Sequence, residues 1–383
     1  MKKMIRYMLL ALTLGFCSCT PEPPLHLYEG PAIDADIPLV DLDLQVYWNY
    51  EMSFDVNYTW QAEWYYGWDE TDLSMFGPQG YTKPTRFNLR RYHTGDVPFA
   101  KHTTVIPSEI EGTHFQGKYD WGFWDILVWN QVNTLDGVQS LIFDEETTLD
   151  QVTAYTNPSM HSSRYHAPRY TNAFHTPEPL FAAYDPGVEI NRNLDGFTFD
   201  PETHTYVKKL DVELRPVTYI YLTQVILHNN RGRVINIDGQ ANLSGFARST
   251  VLNTGTSSSD AITVYYNVRL KNNCKKNDEV VDIIGGRLMT FGICNLNANA
   301  ITRADEVEDK EPHYMDVTMQ FNNGMDSTLV FDVTNQVRKR YKGGVLTVEL
   351  DMDTVPIPER PGGSGFDAVV KPIEDGGTHV IDM

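Results

Sequence analysis

The sequence predicts an all-β protein of two tandem β-sandwich domains, Greek-key in connection, with few short helices. Three observations predict it. Near the N-terminus, Leu42, Leu44, Val46 and Trp48 alternate with Asp41, Asp43, Gln45 and Asn49, the period-2 pattern of a half-buried strand. From Val207 onward, short strand patterns recur between turn signals such as NNRG, NNGMD and YKGG, at the spacing of a sandwich. Between these regions, 156–206 is crowded with Pro, Asn, Ser and Gly, and reads as a long loop region closing the first domain. A chain of 383 residues has room for two domains at ~100–200 residues each. The expected division is a signal at 1–18, a tether at 19–38, and domains at 39–206 and 207–383.

In the first domain, Phe54, Val56, Tyr58 and Trp60 alternate as a second strand, and 86–92 supplies another. Residues 119–130 (YDWGFWDILVWN) are apolar on both faces, as in a central strand. In the second domain, strands are predicted over 218–228, 233–238, 262–270, 280–294, 315–321, 329–333 and 345–350. One helix is predicted near the C-terminus. Asp332 or Thr334 can cap it, Val333, Val337 and Tyr341 share a face, and Gly343 stops it. Arg338, Lys339, Arg340 and Lys342 offset the helix dipole on a solvated face.

The N-terminus carries the sharpest motif. Lys2, Lys3 and Arg6 precede an apolar run from Met8 to Phe16, too short for the ~20 residues that span a bilayer. Ser18 and Cys19 then follow as in a bacterial lipobox, so Cys19 is the expected lipidation site and the membrane is reached through its lipid. Cys17 is a poorer candidate, because bulky Phe16 would sit at the cleavage position. The tether, TPEPPLHLYEGPAIDADIP, is rich in Pro and acidic residues. The formal net charge is −20, and about −23 once the signal's three bases are removed. That charge excludes nucleic acid and anionic lipid head groups as electrostatic partners.

Chemistry-bearing patterns are sparse. No nucleophile elbow, HExxH, Walker loop or GxGxxG is present, so no enzyme activity or cofactor is predicted. His161, His166 and His175 are read as polar surface, and no metal site is predicted. Asp351-Met352-Asp353 begins like a calcium loop, but Pro356 stands where that loop needs glycine. Asp120 and Asp125 flank an aromatic strand, but paired carboxylates need a cleft to act on a glycosidic bond. Cys274 is expected opposite about Val280 and far from Cys294, leaving both thiols free. All seven tryptophans fall in the first domain. Trp48, Trp60, Trp124 and Trp129 read as core. Trp64, Tyr65, Tyr66 and Trp68 (EWYYGWDE) are harder to bury together, and are the expected exposed recognition surface.

The lipobox, the run GKYDWGFWDILVWN, the stretch LRPVTYIYLTQVILHNN and the ending FDVTNQV…GGVLTVEL resemble the fimbrillin-like surface lipoproteins of Gram-negative anaerobes. Within them the chain is similar to the anchor-type branch, which includes a lipoprotein family of unassigned function. The resemblance implies two transthyretin-like β-sandwiches, display at the outer-membrane surface, and a non-enzymatic role in fimbria anchoring or adhesion. Its implied partners are fimbrial subunits that add by donating a strand. In the shaft subunits of such polymers, a trypsin-like protease first removes the lipidated N-terminal strand after Arg or Lys. Residues 20–82 of this chain contain neither, and hold twelve acidic residues. A glycan-binding surface lipoprotein serving polysaccharide uptake is the alternative, with glycans as its partners.

Overall fold

The computed structural model describes residues 39–46, 59–132, 140–144, 151–158, 173–202, 204–297 and 310–359. The first half provides β1 (Leu39–Val46), α1 (Glu70–Phe76), β2 (Arg86–Gly95), β3 (Thr104–Glu111), β4 (His114–Lys118) and β5 (Gly122–Asn130). Then come β6 (Leu141–Asp144), β7 (Thr153–Thr156), β8 (Ala173–His175), β9 (Phe181–Ile190), β10 (Phe197–Asp200) and β11 (Thr205–Pro216). The second half adds β12 (Tyr219–His228), β13 (Val234–Ala247), β14 (Ser249–Val251), β15 (Thr256–Ser257) and β16 (Ala261–Lys276). It continues with β17 (Glu279–Thr290), β18 (Tyr314–Phe321), β19 (Asp326–Asp332), α2 (Thr334–Lys339) and β20 (Gly344–Asp351).

The architecture is all-β, with two curled sheets in tandem. Sheet one runs β3-β2-β5-β9-β11-β1-β4, with β10 added to β11. Sheet two runs β19-β18-β13-β16-β17-β12-β20, with β8 added to β16. A small third sheet, β15-β14-β7-β6, takes two strands from each half. As the alternation predicts, each curled sheet encloses its own apolar core. Sheet one packs Phe87, Leu89, Trp124 and Val128, and sheet two packs Tyr221, Phe246, Phe321 and Phe331. A third core joins the halves, with Tyr92, Leu127 and Trp129 against Leu252, Phe291 and Cys294.

Strand β5 is central between β2 and β9 and buried on both faces, as its composition requires. The predicted strands of the second half are all present; β13 runs on to Ala247, beyond the expected end at 238. Helix α2 is also present, with the Asp332 carboxylate accepting from the Thr334 amide. At its stop, a Cβ on Gly343 (φ 104) would lie 2.3 Å from the Ile220 carbonyl oxygen, so only glycine fits there.

Four expectations need correction. The loop region at 156–206 contains β8, β9 and β10. Its Asp185-Pro186-Gly187 is a bulge inside β9 opposite Asp125, where pairing with β5 slips. The domain division expected at 206 falls within β11, which pairs with β1 and β9 in sheet one; the chain changes sheets after Pro216. Helix α1 was not predicted, although Asp69 and Asp72 form a reciprocal capping box at its start. Trp60 lies in a 3-10 turn and not in a strand, while Phe54, Val56 and Tyr58 lie outside the described residues. Most of the acidic run 305–311 and the expected core residue Trp48 also lie outside them.

The shared core and shared sheet carry an expected outcome. A protease nick between β10 and β11 should leave two fragments that co-elute on gel filtration and part only in denaturant. Two independently stable fragments would contradict this packing.

Candidate functional site

The first candidate site is the seat of β1. It pairs in parallel with β11, Leu39 opposite Val207 through Val46 opposite Leu214, and antiparallel with β4, Leu42 opposite Phe115. Both of its edges are therefore used. Val40 and Leu42 are fully buried in the core of sheet one, while Asp41 meets His114 Nε2 at 2.9 Å. Cys19, the expected lipidation site, lies outside the described residues.

Beside β1, the strands β3 and β4 are not joined to each other by a ladder. Buried Arg91 reaches across, donating to the Lys118 carbonyl and to Ser108 Oγ, both at 3.1 Å. Its guanidinium lies 5.2 Å from the Phe115 ring centre and 5.1 Å from that of Tyr119. Burial pushes the Tyr119 phenol up to about 12, against the opposing pull of Arg91. Burial likewise raises Tyr81, Tyr219 and Tyr266. These phenols stay neutral in the fold above pH ~10, where unfolded tyrosine ionises, so stability is complete below that pH and lost as pH rises toward 12. Tyrosinate absorbance in the native protein should therefore lag that of the denatured chain, with unfolding in the same window.

The second candidate is the aromatic segment Trp64, Tyr65, Tyr66 and Trp68, expected as an exposed recognition surface. The structure places it otherwise. Residues 59–81 form a strap from the first half that crosses the outer face of sheet two. Tyr66 is only 3% exposed, packed with Ile226, Val281 and Ile283, and the other three are half-buried. Trp60 sits with Ile220, Leu222, Met289 and Val345, flanked by Trp64 and Trp68. Gly285 makes room for Tyr66: a Cβ there would lie 2.4 Å from the ring.

Polar groups fix the strap. Gln224 of β12 is buried; its amide donates to the Glu63 carbonyl and its oxygen accepts from the Tyr65 amide. Tyr81 donates to the Thr218 carbonyl at 2.8 Å and Arg287 to that of Gln79 at 3.2 Å. Arg340, expected on a solvated face, instead pairs with Glu63.

The centre of the strap is Asp72, 0% exposed. It accepts from the Asp69 amide at 2.8 Å, from Tyr66 Oη at 2.9 Å and from Arg269 at 2.8 Å, and it pairs with Lys271. Lys271 Nζ also stands 4.1 Å from the Tyr66 ring centre. Neighbouring Asp69 is held well below the usual carboxylate range, first by the Asp72 amide and then by Lys271 and Arg269. The Tyr66 phenol is pushed up by burial and by its bond to Asp72. A buried carboxylate with two cations and a phenol is what an ion cluster needs to offset desolvation. The arrangement clamps the segment onto sheet two.

Asp125 is enclosed as well. Tyr184 Oη, His102 Nε2 and the Gly187 amide reach its carboxylate at 2.9, 2.8 and 2.8 Å. Asp120 accepts from Trp124 Nε1 through its backbone carbonyl. The Asp125 carboxylate is thus committed to contacts within the fold. His161 and His166 lie outside the described residues, and His175 is in β8. Among the described residues no three His, Cys, Asp or Glu side chains converge as a metal site. Cys274 and Cys294 share no disulfide and lie in different clusters; a bulge after Lys271 puts Cys274 opposite Val281, one residue beyond the expected partner.

No protein family and no curated protein matches the sequence. Solved structures do. The chain is similar to a candidate adhesin from Bacteroides ovatus (TM-score 0.49, 15% identity, 87% of this chain and 99% of that one). It is similar to the fimbrial anchor protein Mfa2 from Porphyromonas gingivalis (0.42, 13%, 81% and 90%). A candidate polysaccharide-binding protein from Bacteroides thetaiotaomicron is also similar (0.41, 7%, 82% and 91%). At these identities the reading of function rests on the residues of this chain.

Proposed function

We propose that this protein is a lipid-held adhesion protein of the cell surface, an anchor or accessory subunit of fimbriae that keeps its own first strand. The observation that supports this most is the seat of β1, with both edges paired and Val40 and Leu42 buried. A strand added by a neighbour, a form of β-augmentation, needs such a seat vacant. Vacating it by trypsin-like cleavage needs a Lys or Arg, and the first after residue 19 is Lys83. A cut there would detach the strap as well as β1, and uncover the face of sheet two on which Trp60 and Tyr66 lie. The chain is thus suited to the base of a polymer, or to standing alone, with lipid at Cys19. On this reading it is non-catalytic, and its partners are fimbrial subunits. A sugar-stacking role for Trp64 to Trp68 has no comparable support, because the strap is committed to sheet two.

Changing Cys19→Ala should release the protein from the membrane fraction, and deleting the chain should reduce cell-attached fimbriae or adhesion. A Cys19→Ala protein that stays membrane-bound would overturn the anchoring.

A further inference from the structure

Loop 96–103, between β2 and β3, presents Val97, Pro98 and Phe99 to solvent. Val97 is 61% exposed and Phe99 75%, unusual for large apolar side chains placed side by side. The loop is braced at its base. Thr103 donates from its amide to the His93 carbonyl at 2.7 Å, and from its hydroxyl to the same oxygen at 3.0 Å. His102 is held by Asp125 at 2.8 Å and stacks on Tyr92 at 4.5 Å. Phe99 itself has φ 57, a conformation that bulky residues rarely adopt. Its ring lies over Gly187, where a Cβ would stand 3.2 Å from it. An exposed aromatic held in a costly conformation over a glycine is displayed, not merely left over.

Strand register says where it is displayed. Gly95 pairs with Phe123, and Gly122 with Ile190, so the loop lies at the end of sheet one where β5 begins and β9 finishes. Leu39 pairs with Val207 and Lys118, which puts the first residue of β1 at that same end. The passage to sheet two, after Pro216, lies at the opposite end, where Pro216 pairs with Phe181. The chain therefore comes from residue 19 onto the end that carries Val97 and Phe99.

We propose that Val97, Pro98 and Phe99 form a membrane-contact loop that sits in the head-group region of the bilayer holding the lipidated N-terminus. This rests on the anchoring reading above. Fully extended, 19–38 spans ~65 Å, so the tether reaches the bilayer without fixing the body's distance or tilt. A second, weak apolar contact does both, and aromatic residues are suited to the head-group level. The chain's charge of −20 disfavours contact through anionic head groups, so the contact is apolar and suits a zwitterionic surface.

The test uses the lipidated full-length chain with Val97→Cys and Cys274→Ala, labelled with nitrobenzoxadiazole, in phosphatidylcholine vesicles. Val280→Cys in the same background is the control; Val280 is 63% exposed, and β17 begins beside it at the far end of sheet two. The label at position 97 should emit to the blue and be quenched by lipid-borne nitroxide several-fold more than at 280. Adding Phe99→Ser should reduce that quenching while the protein still floats with the vesicles. Equal quenching at the two positions overturns the proposal, as does a blue shift without lipid quenching, which would report a second copy or another protein. Flotation separates the two readings. Protein that does not float fails the anchoring itself, whereas protein that floats with position 97 unquenched fails the loop contact alone.

Discussion

Asp72→Asn is expected to destabilise the protein by about 3–5 kcal/mol, the usual cost of removing one partner from a buried ion cluster. The substitution keeps the volume and removes the charge. Lys271 and Arg269 would then both lean on Asp69, which is itself about half exposed. Tyr66 would keep at best a neutral acceptor. Urea unfolding should show the loss, and tryptophan emission should move to the red as Trp60, Trp64 and Trp68 come away from sheet two. Gly285→Ala reaches the same contact sterically, through the Tyr66 ring, at about 1–3 kcal/mol for overpacking. The two effects should not add, because both act on Tyr66. A change within about 0.5 kcal/mol for Asp72→Asn would mean that this network does not hold the strap.

The second large effect is expected at β1. Leu42→Asp puts an unpaired carboxylate into the closed core of sheet one, at a cost of about 4 kcal/mol or more. Leu42→Ala, which only leaves a cavity, should cost about 2–5 kcal/mol. The aspartate variant should release β1 before the rest unfolds, because the strand is held from outside by two ladders and from inside by Val40 and Leu42. Release exposes the facing edges of β11 and β4, which any strand can then extend. The variant should accordingly capture a peptide of residues 39–46 supplied in trans, while the unaltered chain should not. Capture by both proteins would mean that the seat is open already.

Much of the fold was legible because its causes are local. Alternation and turn chemistry marked every strand from β12 to β20 except the two-to-three-residue β14 and β15, and the spacing of Val333 and Val337 marked α2. The two-sided apolarity of β5 announced its central position. What was not legible depends on partners distant in sequence. The strap is held by Gln224, Arg269, Lys271, Arg287 and Arg340, roughly 160 to 280 residues away, and nothing around EWYYGWDE says that sheet two will cover it. Of its aromatics Tyr66 is buried, and Trp64, Tyr65 and Trp68 are half-buried against sheet two. The one local cue, Asp69 with Asp72, was there to be read as a capping box. The bulge at Pro186-Gly187 failed for the opposite reason, since its residues are those of a turn and only the pairing of β5 with β9 makes them a strand. At the candidate site, the absence of Lys and Arg from 20–82 was plain in the sequence, but the doubly paired seat of β1 appeared only with the register.

The central claim is that the first strand stays in place and the N-terminus keeps its lipid. Mass analysis of the N-terminal peptide, from protein purified out of detergent-extracted cells, tests it most directly. The account predicts a blocked, acylated Cys19 followed by the unbroken sequence through β1 and the strap to Lys83. A free N-terminus anywhere between residues 20 and 84 would contradict it.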